Sequence, residues 1–324
     1  MRIPLLRTFQ YGLNFKKLNL RRRLYEKVQE PLWIRQPTSV QFDTTNRRCS
    51  LSCVYCNPQS TFIKETGDLP ISTIEHAVNE MHRNNMFVEY AHPFMNTDPL
   101  LDKRMPIITK MIYKKLKCQI LTSTNGVLYN RRHLLRDPYL TDVCFTISAA
   151  TPETYHKVHG KPLFDQAVKT VFWLQKNKFW NQRIWLRYIL FGDNIHELED
   201  WKKMFQMFPQ EVRPLHYGGD RSTSNRLKNV LDKNMKDYYN RQQQAFIKNR
   251  MPCNCFHNLA IGYDGCFMQC CDLPYEHNWG HIEEIDLQET WQKRLDLGLN
   301  HPACRECNQK NPEWKALFEE YVWS

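Results

Sequence analysis

The chain has 324 residues, enough for one large domain or a large domain with a smaller one. Hydrophobic residues make up 42% and charged residues 24%, the balance of a soluble globular protein, and no apolar run approaches the ~20 residues of a membrane span. The formal charge is +11, part of it from Lys16, Lys17, Arg21, Arg22 and Arg23, which admits nucleic acid or another acidic partner but reads more simply as a solvated basic face.

In chain order, residues 1–36 read as a basic extension without the sustained apolar stretch of a secretory signal, which points to a cytoplasmic protein without membrane association. A short strand is expected over 40–43. Ser72 and Glu75 have the spacing of a capping box and open a helix to about 84. A second strand is expected over 87–91, a helix over about 101–115, a third strand over 119–123 and a fourth over 142–148. Thr151 reads as an N-cap with Pro152 in the first helical position, and helix resumes over 164–178. A fifth strand over 184–190, a helix over 195–208 and a sixth strand over 213–217 follow. Alternation of this kind implies parallel strands joined by right-handed helical crossovers. The expected fold is therefore α/β, a partial (β/α)6 TIM-like barrel over residues 37–222, with its chemistry at the C-terminal ends of the strands. After Gly218 and Gly219 the chain turns polar. Residues 223–250 read as a connecting helix, and 251–324 as a small cysteine-rich C-terminal domain.

The cysteines carry the chemistry. Twelve of them without a secretory signal argue against a disulfide scaffold. Cys49, Cys53 and Cys56 fall within eight residues; Cys253, Cys255, Cys266, Cys270, Cys271, Cys304 and Cys307 crowd the tail; only Cys118 and Cys144 lie between. Buried thiols serving as small hydrophobes would scatter, so two groups read as two metal centres. Thiolates select zinc, copper(I) or iron–sulfur clusters. Three cysteines suit either a zinc with a distant fourth ligand or a four-iron cluster with one iron open to a small molecule.

Cys49-x3-Cys53-x2-Cys56 after the first strand resembles the radical S-adenosylmethionine (SAM) superfamily. The resemblance implies that these three catalytic cysteines hold a [4Fe–4S] cluster whose open iron binds SAM, and that reductive cleavage of SAM gives a 5′-deoxyadenosyl radical that takes hydrogen from a substrate. Tyr55 occupies the aromatic position that the family places beside adenine. Asn96-Thr97-Asp98-Pro99-Leu100 resembles the family's Gly-Glu-Pro-Leu segment, which holds the SAM amino group, with Thr97-Asp98 in place of Gly-Glu. Thr124-Asn125-Gly126 matches the family's Thr-Asn-Gly turn, and Ser148 and Arg187 match contacts to the SAM carboxylate and ribose. Relatives commonly carry arginine before the glycine of the stretch 154–160. Here that residue is His159, so either His159 or Lys161 replaces the charge or SAM is held differently.

In the tail, Cys255-x9-Gly265-x4-Cys270 followed by Cys304-x2-Cys307 resembles the SPASM extension, whose shorter twitch form holds one auxiliary [4Fe–4S] cluster. The implied ligands are Cys255, Cys270, Cys304 and Cys307, with Cys253 an alternative to Cys255 and Cys271 to Cys270. Spacing alone also allows a zinc ribbon. Cys266 reads as a structural thiol. The resemblance implies an oxidoreductase or modifying enzyme acting on a peptide or protein side chain, with modification of a nucleotide, a nucleic acid or a small metabolite as alternatives, and an external flavodoxin- or ferredoxin-type electron donor. His92, Asn96, His216 and Tyr217 are candidate substrate contacts and Asp272 a candidate proton acceptor. Thr97 and His159 are the departures that would support a non-catalytic iron–sulfur protein instead.

Overall fold

The computed structural model describes residues 36–46, 49–56, 66–86, 88–214, 244, 253, 255–271 and 277–304. The basic extension up to residue 35, the connecting helix (but for residue 244), His216, Tyr217, Asp272 and Cys307 lie outside the described residues.

Six strands pair in parallel: β1 (Ser39–Phe42), β2 (Tyr90–His92), β3 (Gln119–Thr124), β4 (Asp142–Thr146), β5 (Arg183–Leu190) and β6 (Gln210–Pro214). Their spatial order follows the sequence, as right-handed crossovers dictate. The helices described on these crossovers are α1 (Ile71–Arg83), α2 (Met105–Leu116), α3 (Pro152–His159), α4 (Phe164–Asn177) and α5 (Leu198–Met204). β4 is buried almost throughout, as a parallel strand covered on both faces should be. α4 turns Phe164, Ala167, Thr170, Val171 and Leu174 inward, the three- and four-residue spacing of an amphipathic helix. This parallel α/β sheet is the partial barrel expected from the alternation.

The structure corrects several boundaries. No capping box opens α1: Pro70 is the N-cap, with a φ of −57° already suited to a helix start, and Thr73 and Ile74 donate to its carbonyl. α2 begins at Met105, because Pro99–Leu101 forms a separate 3₁₀ turn. α5 ends at Met204, and β6 lies at 210–214, earlier than expected. Thr151 does cap α3, accepting from the Thr154 N–H, with Pro152 directly after it.

The described C-terminal strands extend this sheet. β7 (Asn258–Ile261) pairs in parallel with β1 over its whole length, and β8 (Cys266–Met268) and β9 (Asn278–His281) add antiparallel beyond it. A buried polar tie fixes the register: Ser39 Oγ donates to Asn258 Oδ1 at 2.7 Å, and Asn258 Nδ2 donates to Gln41 Oε1 at 2.9 Å. α6 (Leu287–Leu297) closes over the extension, with Trp291 stacked on Phe267 at 6.3 Å. Among the described residues no helix is long and apolar enough to cross a membrane.

Candidate iron–sulfur and SAM site

The loop after β1 is anchored before it reaches its cysteines. Thr45 pairs with Asp68, and the Arg104 guanidinium, held by both Asp102 oxygens, donates to the Thr44 and Leu69 carbonyls. Past that anchor the loop lies along the end of α3: Ser52 N–H donates to the His159 carbonyl at 3.1 Å and Val54 N–H to the Val158 carbonyl at 3.0 Å. Gly160 makes the approach possible. Its φ is +77°, and a Cβ there would sit 2.7 Å from the Ser52 oxygen.

Side chains from the end of β3 and the last turn of α3 then meet the loop. Asn125 Nδ2 reaches Cys49 Sγ at 3.5 Å, and His159 Nδ1 lies 3.1 Å from Cys53 Sγ. Burial raises all three thiols. Asp98 adds to the effect at Cys49, Cys56 and Cys49 add to it at Cys53, and Cys49 adds to it at Cys56, which is pushed up to about 12. Burial and one another's charge oppose ionisation of these half-buried sulfurs, and a cationic metal offsets both, so this donor set fits an iron–sulfur cluster.

The expected SAM contacts surround this point. Asp98 is buried and already engaged. Its Oδ1 accepts from Leu100 N–H at 2.9 Å, and its Oδ2 accepts from Thr124 Oγ1 at 2.8 Å and Asn125 N–H at 2.9 Å. It therefore ties the segment after β2 to the end of β3 and sets the position of Asn125 on Cys49. Asn96 and Thr97 are buried beside it, and the Asn96 N–H donates to Asp43. Ser148 is buried at the end of β4; its Oγ accepts from the Ile189 N–H at 3.0 Å, and its carbonyl accepts from Asn194 Nδ2. Tyr55 packs edge-on against His159 and Phe191, each at 5.8 Å, and burial together with the Cys53 thiolate pushes its hydroxyl well up.

Arg187 lies further along the sheet. It donates to Glu211 Oε2 at 2.6 Å, while Arg213 donates to Glu211 Oε1 at 3.1 Å. Burial alone would raise the Glu211 carboxyl, but Arg213 and Arg187 hold it below the usual range. Glu211 was not singled out from sequence. The available signal was the charged stretch Glu211-Val-Arg213 on a strand whose register places Glu211 opposite Arg187. His92 is near this group, and burial with the His257 and Arg187 charges lowers it to about 4. Burial lowers His159 to about 3, so it stays neutral, and Lys161 is exposed. Neither places a buried cation where relatives carry arginine.

The second cysteine group follows from the β7–β8 hairpin. Cys255 precedes β7 and Cys270 follows the antiparallel β8, so the pairing of Ala260 with Met268 carries both to one end. Cys255, Cys270 and Cys271 have sulfurs within 4.8 Å of one another, with Cys271 and Cys255 at 3.8 Å. Cys304 is buried nearby, where Gln269 Nε2 reaches its sulfur at 3.7 Å and Trp279 Nε1 orients Gln269 at 2.8 Å. Cys253 is partly buried against the core, and Cys266, raised to about 11 by burial and Asp264, lies apart from the Cys255 group. Arg294 is fully buried among these segments. It donates to the Phe256 carbonyl at 2.7 Å and to the Gln269 carbonyl at 3.0 and 3.2 Å, and stacks over Phe256 and Trp291. Arg294, Gln269 and Trp279 were also missed from sequence. The only hint was an arginine on the apolar face of α6, between Trp291 and Leu295.

A model of the radical SAM superfamily matches residues 44–205. No curated protein matches the chain by sequence. Among solved structures, the fold is similar to native anSMEcpe with bound AdoMet, at 14% identity and a TM-score of 0.58, covering 89% of this chain and 97% of that one. It is similar to SuiB from Streptococcus suis bound to the precursor peptide SuiA, at 13% identity and a TM-score of 0.58, covering 86% and 70%. It is also similar to BtrN in complex with AdoMet and 2-DOIA, at 15% identity and a TM-score of 0.50, covering 84% and 92%.

Proposed function

The chain belongs to the radical SAM superfamily, and we propose on that footing that it abstracts hydrogen from a peptide or protein side chain. It is an enzyme whose cofactors are a [4Fe–4S] cluster and SAM, and its C-terminal cysteine group fits an auxiliary cluster. In this reading Cys49, Cys53 and Cys56 hold the first cluster. When bound, that cluster supplies the electron that cleaves SAM to a 5′-deoxyadenosyl radical.

The chain's own residues do the rest. Asn125 and His159 orient Cys49 and Cys53, and Asp98 holds Asn125 in place. Asn96, Thr97, Thr124 and Ser148, all buried, are the residues assigned to the SAM amino acid moiety, and Tyr55 packs against Phe191. Arg187 presents a guanidinium whose remaining donors suit a carboxylate. Cys255, Cys270, Cys304 and Cys307 hold the auxiliary cluster, with Cys271 the alternative that lies 3.8 Å from Cys255. The observation that carries the reading is the contact of Asn125, just past the end of β3, and His159, in the last turn of α3, with two sulfurs of the three-cysteine loop.

The peptide assignment draws on SuiB, which was solved bound to its precursor peptide. The +11 charge favours a nucleic-acid substrate as a second reading. Oligonucleotide binding that falls steeply between about 50 and 200 mM salt supports that alternative, and flat binding removes it.

Iron, sulfide and zinc analysis of anaerobically reconstituted protein tests the two centres. About eight irons are expected, falling to about four in a Cys49→Ala/Cys53→Ala/Cys56→Ala variant. A 3.8 Å sulfur separation also suits a tetrahedral ion with metal–sulfur bonds of about 2.3 Å. About four irons and one zinc in the wild type would therefore assign the tail to zinc and overturn the auxiliary-cluster part.

A further inference from the structure

We propose that His159 raises the reduction potential of the N-terminal cluster through a single N–H···S hydrogen bond to Cys53, which makes it a positioning residue with an electronic role. The inference rests on the reading of Cys53 as a cluster ligand.

The ring's hydrogen is placed by its partners. The Ser148 backbone N–H donates to His159 Nε2 at 3.1 Å. A backbone amide only donates, so Nε2 is the lone-pair nitrogen and the neutral ring carries its hydrogen on Nδ1. Nδ1 lies 3.1 Å from Cys53 Sγ, so that hydrogen points at the sulfur.

The ring cannot turn away while the loop is seated. It is 1% exposed, stacked on Tyr155 at 4.2 Å and bounded by Tyr55 at 5.8 Å. The main chain of the same residue accepts from Ser52 N–H, so the backbone and side chain of His159 hold two consecutive residues of the loop, Ser52 and Cys53. Ser148 has its own constraints, with its Oγ engaged by Ile189 of β5 and its carbonyl by Asn194 in the turn after β5. The donor is thus fixed from the end of β4 through the imidazole to the sulfur.

An N–H aimed at a cluster sulfur stabilises the more negative, reduced state more than the oxidised one, and so raises the potential. His159 does this without adding a cation beside the SAM site. The general device is known for metal-ligating sulfur; what the structure assigns is the particular donor and the backbone amide that sets its tautomer.

The test is an EPR-monitored redox titration of the reconstituted holoprotein, following the signal that is absent from the Cys49→Ala/Cys53→Ala/Cys56→Ala variant. His159→Phe keeps the stacking ring and removes both nitrogens. His159→Asn keeps a donor near the Nδ1 position and loses the acceptor for Ser148. The expected result is a midpoint shifted to more negative potential in His159→Phe and a midpoint near wild type in His159→Asn. Equal midpoints in all three proteins, or an equal shift in both variants, would overturn the proposal. A measurement on the unmutated protein guards against a variant that fails to fold. With 15N-histidine, pulsed EPR of the reduced cluster should show coupling to one imidazole nitrogen, and its absence would overturn the proposal. If the titrated signal survives in the triple cysteine variant, the assignment of Cys53 as ligand fails instead, and the two failures are told apart.

Discussion

Gly160 shows what one residue decides at this site. Its left-handed backbone alone would cost an alanine about 1–2 kcal/mol, and the added Cβ would meet the Ser52 oxygen at 2.7 Å. Gly160→Ala is expected to lower the thermal midpoint by a few degrees and to reduce iron at the N-terminal centre. Thermal unfolding with iron analysis checks this, and an unchanged midpoint with full iron contradicts it. His92 gives a pH prediction. Its folded value is lowered to about 4 by burial and by the His257 and Arg187 charges, against about 6.5 unfolded. Below about 6.5 the unfolded chain takes the proton first, so stability is fully present above that pH and falls as pH drops toward 4. Urea unfolding should show that slope in wild type and a flatter one in His92→Gln; equal slopes would contradict it. At this scale the sequence marks candidate residues but not what they touch. Cys49 and Asn125, far apart in the chain, are in contact, and the carboxylate of Asp98 is engaged by three donors of its own chain. Donors brought together from β3 and a turn leave no local pattern to read.

Among the elements, the parallel alternation was legible because each strand and helix carries its own hydrophobic period. Boundaries were less so. The Ser72–Glu75 spacing imitates a capping box, but Pro70 already starts the helix, and Thr73 Oγ1 turns to Glu283 at 2.8 Å. The attachment of β7 to β1 could not be read at all, since it is specified by residues 219 apart, Ser39 and Asn258. That tie supports an element-scale prediction. Asn258→Leu would leave the buried Ser39 hydroxyl without its acceptor and Gln41 without its donor, at a cost of about 1–3 kcal/mol. Chemical denaturation should show that loss, with release of metal from the Cys255 group and retention at Cys49–Cys56. Unchanged stability would mean that the β1–β7 ladder does not depend on this pair.

Across the whole molecule, the two cysteine groups take opposite ends of one strand pair. The Cys49 loop leaves the C-terminal end of β1, while Cys255, Cys270 and Cys271 gather at the N-terminal end of β7, which runs parallel to β1 in register. The four-residue ladder between them spans about 13 Å. His92 lies on β2 beside β1, opposite Gln41, and the Arg187–Glu211 pair lies on β5 and β6. The spacing of the cysteines in the sequence announced two centres; only the sheet shows that one strand pair holds both. We propose that the centre at Cys49, Cys53 and Cys56 cleaves SAM, and 5′-deoxyadenosine formed anaerobically from SAM and dithionite by iron-loaded protein measures that step. The wild type is expected to release 5′-deoxyadenosine and the Cys49→Ala/Cys53→Ala/Cys56→Ala variant none; iron-loaded wild type that forms none would contradict the account.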